Sequence, residues 1–251
     1  MAGGAQNPKN NTKDAKSAKD AKSAKNAKKQ AVKAARRPQV RLPELTAYAA
    51  GAGAAAALEP DGDYDALDFA GLDLRGQDGA GARFMDCRLA GCLLDDTRLR
   101  KARFLDSVFD GVRGVGTDLA EALLRDVEVA EARLGGVQMH GAVLERVHVR
   151  GGKIDYLNLR AARLKDVVFE GVVLVEPDFG GAVLERVGFP GCVIGGADFS
   201  GARLAEVDLR EAARVDVARG LDRLAGAVIS PAQLMDLAPA FAAQLGVRVE
   251  P

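Results

Sequence analysis

Every fifth residue of this chain from Tyr64 to Leu209 is apolar, apart from Gly79 and Gly114. That makes 28 of 30 positions, without insertion or deletion. An α-helix cannot produce the pattern, because five residues turn it by about 500° and successive positions spiral round its axis. A flat strand cannot either, since an odd spacing sends successive side chains to opposite faces. A strict short period sustained over so many units predicts a solenoid, each unit burying its apolar residue against its neighbours.

Two further registers support this. The position two before each centre is small and mostly apolar, as at Ala82, Cys87, Cys92, Ala102, Val112, Ala122 and Val127. Alternating large and small inward columns fill a narrow interior without voids. Eight of the nine Phe, at 69, 84, 104, 109, 169, 179, 189 and 199, fall in the large column. The position two after each centre is Gly in fourteen of 29 cases from Gly71 to Glu211, which suits a tight corner.

The units Ala197-Asp198-Phe199-Ser200-Gly201 and Ala202-Arg203-Leu204-Ala205-Glu206 carry the pattern most plainly. This pattern resembles the pentapeptide-repeat family. The resemblance implies an all-β solenoid, a right-handed quadrilateral β-helix with four pentapeptides per coil. Over residues 64–213 that gives about seven coils, a rod of roughly 36 Å at ~4.8 Å per coil.

Outside the repeat the chain reads as three other segments. Residues 1–37 form a Lys/Ala-rich tail in which Lys13, Lys16, Lys19, Lys22, Lys25 and Lys28 recur every third residue. With one Val and no Leu, Ile or Phe, the tail cannot offset its ordering entropy by burial and is expected to be disordered. Residues 38–63 read as an irregular or short helical lead-in that covers the first coil. Residues 214–251 follow the failure of the period at Arg214 and Arg219. There Ser230-Pro231-Ala232-Gln233 is a helix start, with an N-cap Ser, a first-turn Pro and a capping-box Gln. The stripe of Leu234, Leu237 and Phe241, interrupted by Pro239, predicts one kinked helix or two short ones. It either caps the last coil or caps and also joins two chains as a homodimer.

A net charge of zero conceals a segregation. Residues 1–37 hold nine Lys and two Arg against Asp14 and Asp20, and the other 214 residues are acidic by nine charges. The basic tail points to weak nucleic-acid binding or to a solvated tail. No apolar run is long enough to span a membrane and no secretory signal is visible, so a cytoplasmic protein is expected. Cys87, Cys92 and Cys192 lie in the small inward column and read as buried apolar residues.

Candidate chemistry is sparse. His140 and His148 fall in outward columns on different faces, and no nucleotide, hydrolase or metalloprotease motif occurs, so neither enzyme activity nor a cofactor or metal is expected. Folding at twenty residues per coil stacks Asp86, Asp106, Asp126, Arg146, Asp166, Arg186 and Glu206 into one axial column. Its acids, Asp86, Asp106, Asp126, Asp166 and Glu206, form a candidate partner-binding ridge. The neighbouring column suggests a rival reading, a ladder of ion pairs in which Arg83, Arg103, Arg163 and Arg203 meet Asp86, Asp106, Asp166 and Glu206. The resemblance implies a specific function, because some family members are DNA-mimicking dimers that bind DNA gyrase or topoisomerase IV and confer fluoroquinolone resistance. The sequence therefore supports a protein-interaction scaffold, with a topoisomerase as the implied partner and tail-driven nucleic-acid binding as the alternative.

Overall fold

The computed structural model describes Met1, residues 32–48 and residues 57–250. The chain divides into two units, Met1–Lys33 and Ala34–Pro251, and the second carries every strand and helix described below. The tail lysines from Lys13 to Lys28 lie outside the described residues, as do residues 49–56 of the lead-in.

Parallel pairing at an offset of twenty residues builds the solenoid. Leu144 pairs with Leu124 on one side and Leu164 on the other, and the same step recurs from Tyr64↔Phe84 to Leu184↔Leu204. Four rows of pairing give four faces to each coil. Two are joined where the strands Leu123–Ala130, Val143–Arg150 and Arg163–Glu170 bend round a corner. The third holds strands such as Arg133–Gly135 and Lys153–Asp155, and the fourth is a row of single bridges from Asp78↔Arg98 to Asp178↔Asp198.

The inward columns are those the five-residue period specifies. Leu144 and Phe169 are 3% and 2% exposed, and the small column at Ala102, Val127, Ala142 and Ala182 is closed to solvent. Two centre positions lack a side chain because neighbours fill them. A Cβ at Gly114 would come within 2.8 Å of both the Leu94 carbonyl carbon and the Thr117 hydroxyl. At Gly79 the space is taken by Leu58 and Leu99. Polar members of the small column bond to the wall: Thr97 and Thr117 donate to the Leu74 and Leu94 carbonyls at 2.8 and 2.7 Å. Cys87, Cys92 and Cys192 are free and buried, and burial pushes each thiol up to about 11, which leaves them protonated packing residues.

The corner residue two after each centre is left-handed wherever the repeat is regular. The requirement is met by Gly71 at φ 66° and equally by Asp86, Asp106 and Arg146 at 53°, 49° and 52°. Glycine is thus the easy occupant of the corner without being the obligatory one.

The solenoid is longer than the period suggests, with about nine turns in place of seven. At the far end, one inserted residue shifts the pairing so that Val193 meets Arg214 and Ile194 meets Val215. Val215 is the buried residue there, so Arg214 marks a slip of register and not the end of the coil. Ala227–Val228 then pairs with Val207–Asp208 to finish the last turn. At the near end Thr46–Ala47 pairs with Leu67–Asp68, so the lead-in supplies a strand there and not a helix. Tyr48 lays its ring on Phe69, with centroids 4.4 Å apart, and closes the aromatic interior.

One helix, Pro231–Gln244, covers the other end, with Pro239 inside it and both capping-box bonds between Ser230 and Gln233 present. Gln233 does more than cap its own helix. Its buried amide donates to the Leu209 and Ala212 carbonyls at 2.7 and 3.2 Å. Both acceptors belong to the last regular coil: the Leu209 carbonyl also accepts from the Ala212 N–H within its turn at 3.0 Å, whereas the Ala212 carbonyl has no further regular coil to bond it, as the next coil does for Cys192. Gln233→Ala is therefore expected to lower stability by about 1–3 kcal/mol, measured by chemical denaturation. An unchanged unfolding midpoint would show that the helix adds nothing to the coil end.

Candidate interaction surfaces

Charged side chains stack along the solenoid because residues n and n+20 are laid side by side at roughly 4.8 Å. The ion pairs follow that axis. Arg83 reaches Asp63 at 3.1 Å, Arg88 reaches Asp68 at 2.5 Å, Arg98 reaches Asp78 at 3.1 Å, and Arg146 reaches Asp126 at 2.6 Å. The ladder expected within each coil is not formed. Arg83 turns to the coil below instead of to Asp86, and no ion pair joins Arg103 to Asp106 or Arg163 to Asp166 among the described residues. The reason is geometric: the arginine stands on a flat face and the acid three residues later on a left-handed corner.

The acidic column consequently has two halves. Asp86 and Asp106 carry no ion pair among the described residues. Burial, then the charges of Asp126 and Asp86, push the Asp106 carboxyl above its ordinary value. From Asp126 onward the acids are neutralised. Arg146 grips Asp126 with Nε and Nη2 at 2.7 and 2.6 Å. Arg186 grips Asp166 at 2.7 and 3.1 Å, and also reaches Glu206 at 3.9 Å.

Asp166 has a second partner that the sequence pattern did not reveal. Arg36 donates to it three times, from the backbone N–H at 3.2 Å and from Nε and Nη2 at 3.0 and 2.8 Å. Next to it, Arg37 donates to Glu170 at 2.8 Å, and His148 Nε2 meets the same carboxylate oxygen at 2.9 Å. Asp166 is completely buried by these groups. Burial alone would raise its carboxyl, but the hydrogen bonds from Arg186 and Arg36 outweigh it and hold the group well below the usual carboxylate range. The last two cations assigned to the tail are thus engaged on the solenoid itself. A signal was present in the sequence: Pro38, Val40 and Leu42 alternate with polar residues after the Arg36-Arg37 pair, the period of an extended segment.

At the C-terminal helix the apolar stripe divides. Leu237 is 4% exposed and serves the cap, with Phe241 half-buried beside it, while Leu234 is half exposed and Met235 lies open to solvent. Leu237 faces its own chain and so is not available to a symmetry mate. No helix among the described residues is long and apolar enough to cross a membrane.

Comparison with known proteins gives three findings. Residues 82–159 match the family model described as a pentapeptide repeat region. A comparison with curated protein sequences finds no match. Among solved structures, HetL is a pentapeptide repeat protein involved in heterocyst differentiation regulation from the cyanobacterium Nostoc sp. strain PCC 7120. It is 21% identical over 68% of this chain and 90% of its own, with a TM-score of 0.28. QnrB1, a plasmid-mediated fluoroquinolone resistance protein, is 17% identical in a trypsin-treated form over 77% of this chain and 98% of its own, with a TM-score of 0.34. Its full-length form is also 17% identical, over 74% of this chain and all of its own, with a TM-score of 0.22. Likenesses this distant carry no functional weight by themselves.

Proposed function

The chain is a pentapeptide-repeat protein, and from that premise we propose that it acts as a non-enzymatic protein-interaction scaffold with DNA gyrase or topoisomerase IV as its partner. The observation that carries this reading is the pair Asp86 and Asp106 on adjacent coils, neither of which makes an ion pair among the described residues, with burial and neighbouring acids outweighing the more distant Arg146 and Arg125 at Asp106. The charge of Asp106 is disfavoured where it stands, so a cationic partner surface would relieve it. Asp126, Asp166 and Glu206 contribute less, because Arg146 and Arg186 already answer them. The partner itself comes from the family resemblance, and DNA-like charge is confined in this reading to the Asp86–Asp106 end of the column. Nucleic-acid binding through the tail is less favoured, since Arg36 and Arg37 are held on the protein's own carboxylates.

The test is gyrase supercoiling with purified protein, with and without a fluoroquinolone. Inhibition or drug protection at micromolar protein is expected, weakening with added salt because the attraction is electrostatic. Asp86→Lys with Asp106→Lys should reduce the effect at least tenfold and leave the solenoid folded, as Asp106 is exposed and the half-buried Asp86 makes no ion pair among the described residues, so neither charge adds much stability. No inhibition and no protection by the wild-type protein would discard the topoisomerase partner.

A further inference from the structure

Residues 34–45 form an arm whose course is fixed by its two ends. Arg36 is bonded to Asp166, while Thr46 pairs with Leu67 in the coil next to it and so lies six turns from Asp166 along the solenoid. Six turns span roughly 29 Å at ~4.8 Å each. The ten residue-to-residue steps from Arg36 to Thr46 reach about 33–36 Å when fully extended. The arm must therefore lie stretched along the axis, across the strands and not beside one of them.

Its burial alternates to match. Pro38 is buried and Val40 and Leu42 are half-buried, while Gln39, Arg41 and Pro43 are exposed. The face between the two ends carries a row set by strand register: Arg88, Val108, Glu128, His148, Val168. These are outward positions, yet Val168 is 7% exposed and the His148 side chain 12%. Carboxylates stand at the end of the row where the arginines arrive, Asp166 at the corner and Glu170 beyond Val168.

The geometry points to this face being a docking track for an extended peptide that begins with two arginines and continues with apolar residues at alternate positions. The chain's own residues 36–42 are its resident occupant. Charge and apolar contact act at different points along the track. Asp166 and Glu170 fix the register of the two guanidinium groups, and the alternating apolar side chains meet Val168 and the outward row below it. An arm held by two arginines that are themselves more than half exposed, and by a few side chains of which only Pro38 is fully buried, is a detachable ligand, unlike the hydrogen-bonded coils beneath it. The same segment offered from outside would compete for the same track, at a disadvantage set by the high effective concentration of the tethered copy.

The experiment uses the full-length chain and a fluorescent synthetic peptide of residues 32–45. Arg36→Glu with Arg37→Glu removes both anchors from the tethered arm at exposed positions, so the solenoid should stay folded. The peptide should bind this variant at least tenfold more tightly than the wild type, and a peptide carrying the same two glutamates should not bind. Hydrogen exchange gives a second readout that needs no added ligand. Amides 36–42 should be protected in the wild type and lose at least tenfold of that protection in the variant, with the strands Val143–Arg150 and Arg163–Glu170 unchanged. Equal peptide affinity for both proteins, no binding to either, or unprotected amides in the wild-type arm would each overturn the proposal.

Discussion

Phe169→Ala should cost the solenoid about 4–5 kcal/mol, the upper part of the range for truncating a buried Phe. Phe169 is 2% exposed and lies against Phe189 with ring centroids 5.3 Å apart and planes 4° from parallel. Its axial column reads Phe109, Val129, Val149, Phe169, so two valines stand where the coils on either side hold phenylalanine. The space they leave is an apolar cavity of about 70 Å³, lined by Phe169 together with Phe109, Val129 and Val149. Removing the Phe169 ring would join a new void to an existing one. Collapse is the usual relief for such a void, but here the walls are coils hydrogen-bonded on both sides and cannot close independently. Urea denaturation measures the loss. A change below about 1 kcal/mol would mean that Phe169 does not face the interior in the register described.

How much of this was legible in the sequence depends on whether a feature repeats. The centre residues from Tyr64 to Leu209 could be read directly, because one side chain per five residues has a single way to be buried in a coil of four faces. The helix start at Ser230 was legible because capping is a local chemistry of three or four residues. Events that occur once were hidden. The inserted residue before Arg214 broke the period and looked like an ending, although Val215 simply takes over the inward place. The arm falls across the boundary between the basic tail, which holds Arg36 and Arg37, and the irregular or short helical lead-in from residue 38, since nothing local tells Arg36 that Asp166 is near. The ion pairs were misassigned for a related reason. Sequence proximity favours Arg83 with Asp86, whereas in-register stacking brings Arg83 to Asp63 twenty residues away. Parallel coils make the distant residue the neighbour, and a left-handed corner turns the near one aside.

Arg186→Ala should destabilise the protein by about 3 kcal/mol at neutral pH, the lower end of the cost of breaking a buried ion pair. Asp166 has no exposed side-chain surface, and without Arg186 it would keep only Arg36, whose own side chain is 63% exposed. The loss should also depend on pH with a definite sign. In the wild type the folded carboxyl lies below its unfolded value, because the bonds from Arg186 and Arg36 outweigh burial. Its contribution is therefore complete above about pH 4 and is lost as pH falls from there toward the depressed folded value. In the variant only the Arg36 bonds still oppose burial, and the folded carboxyl moves up toward its unfolded value. Protonation then costs the variant less than the wild type, so the variant loses less stability over the range in which the wild type begins to lose it. The difference between the two proteins should accordingly shrink between pH 7 and pH 3 in denaturation experiments. Arg186 also meets Glu185 and Glu206, but those acids are partly exposed and screened, so they add little to the slope. The Asp166→Asn background isolates the effect: there, Arg186→Ala should cost less and its cost should hardly vary with pH. A loss that stays constant across that range in the wild-type background would show that Arg186 acts through packing and not through the Asp166 charge.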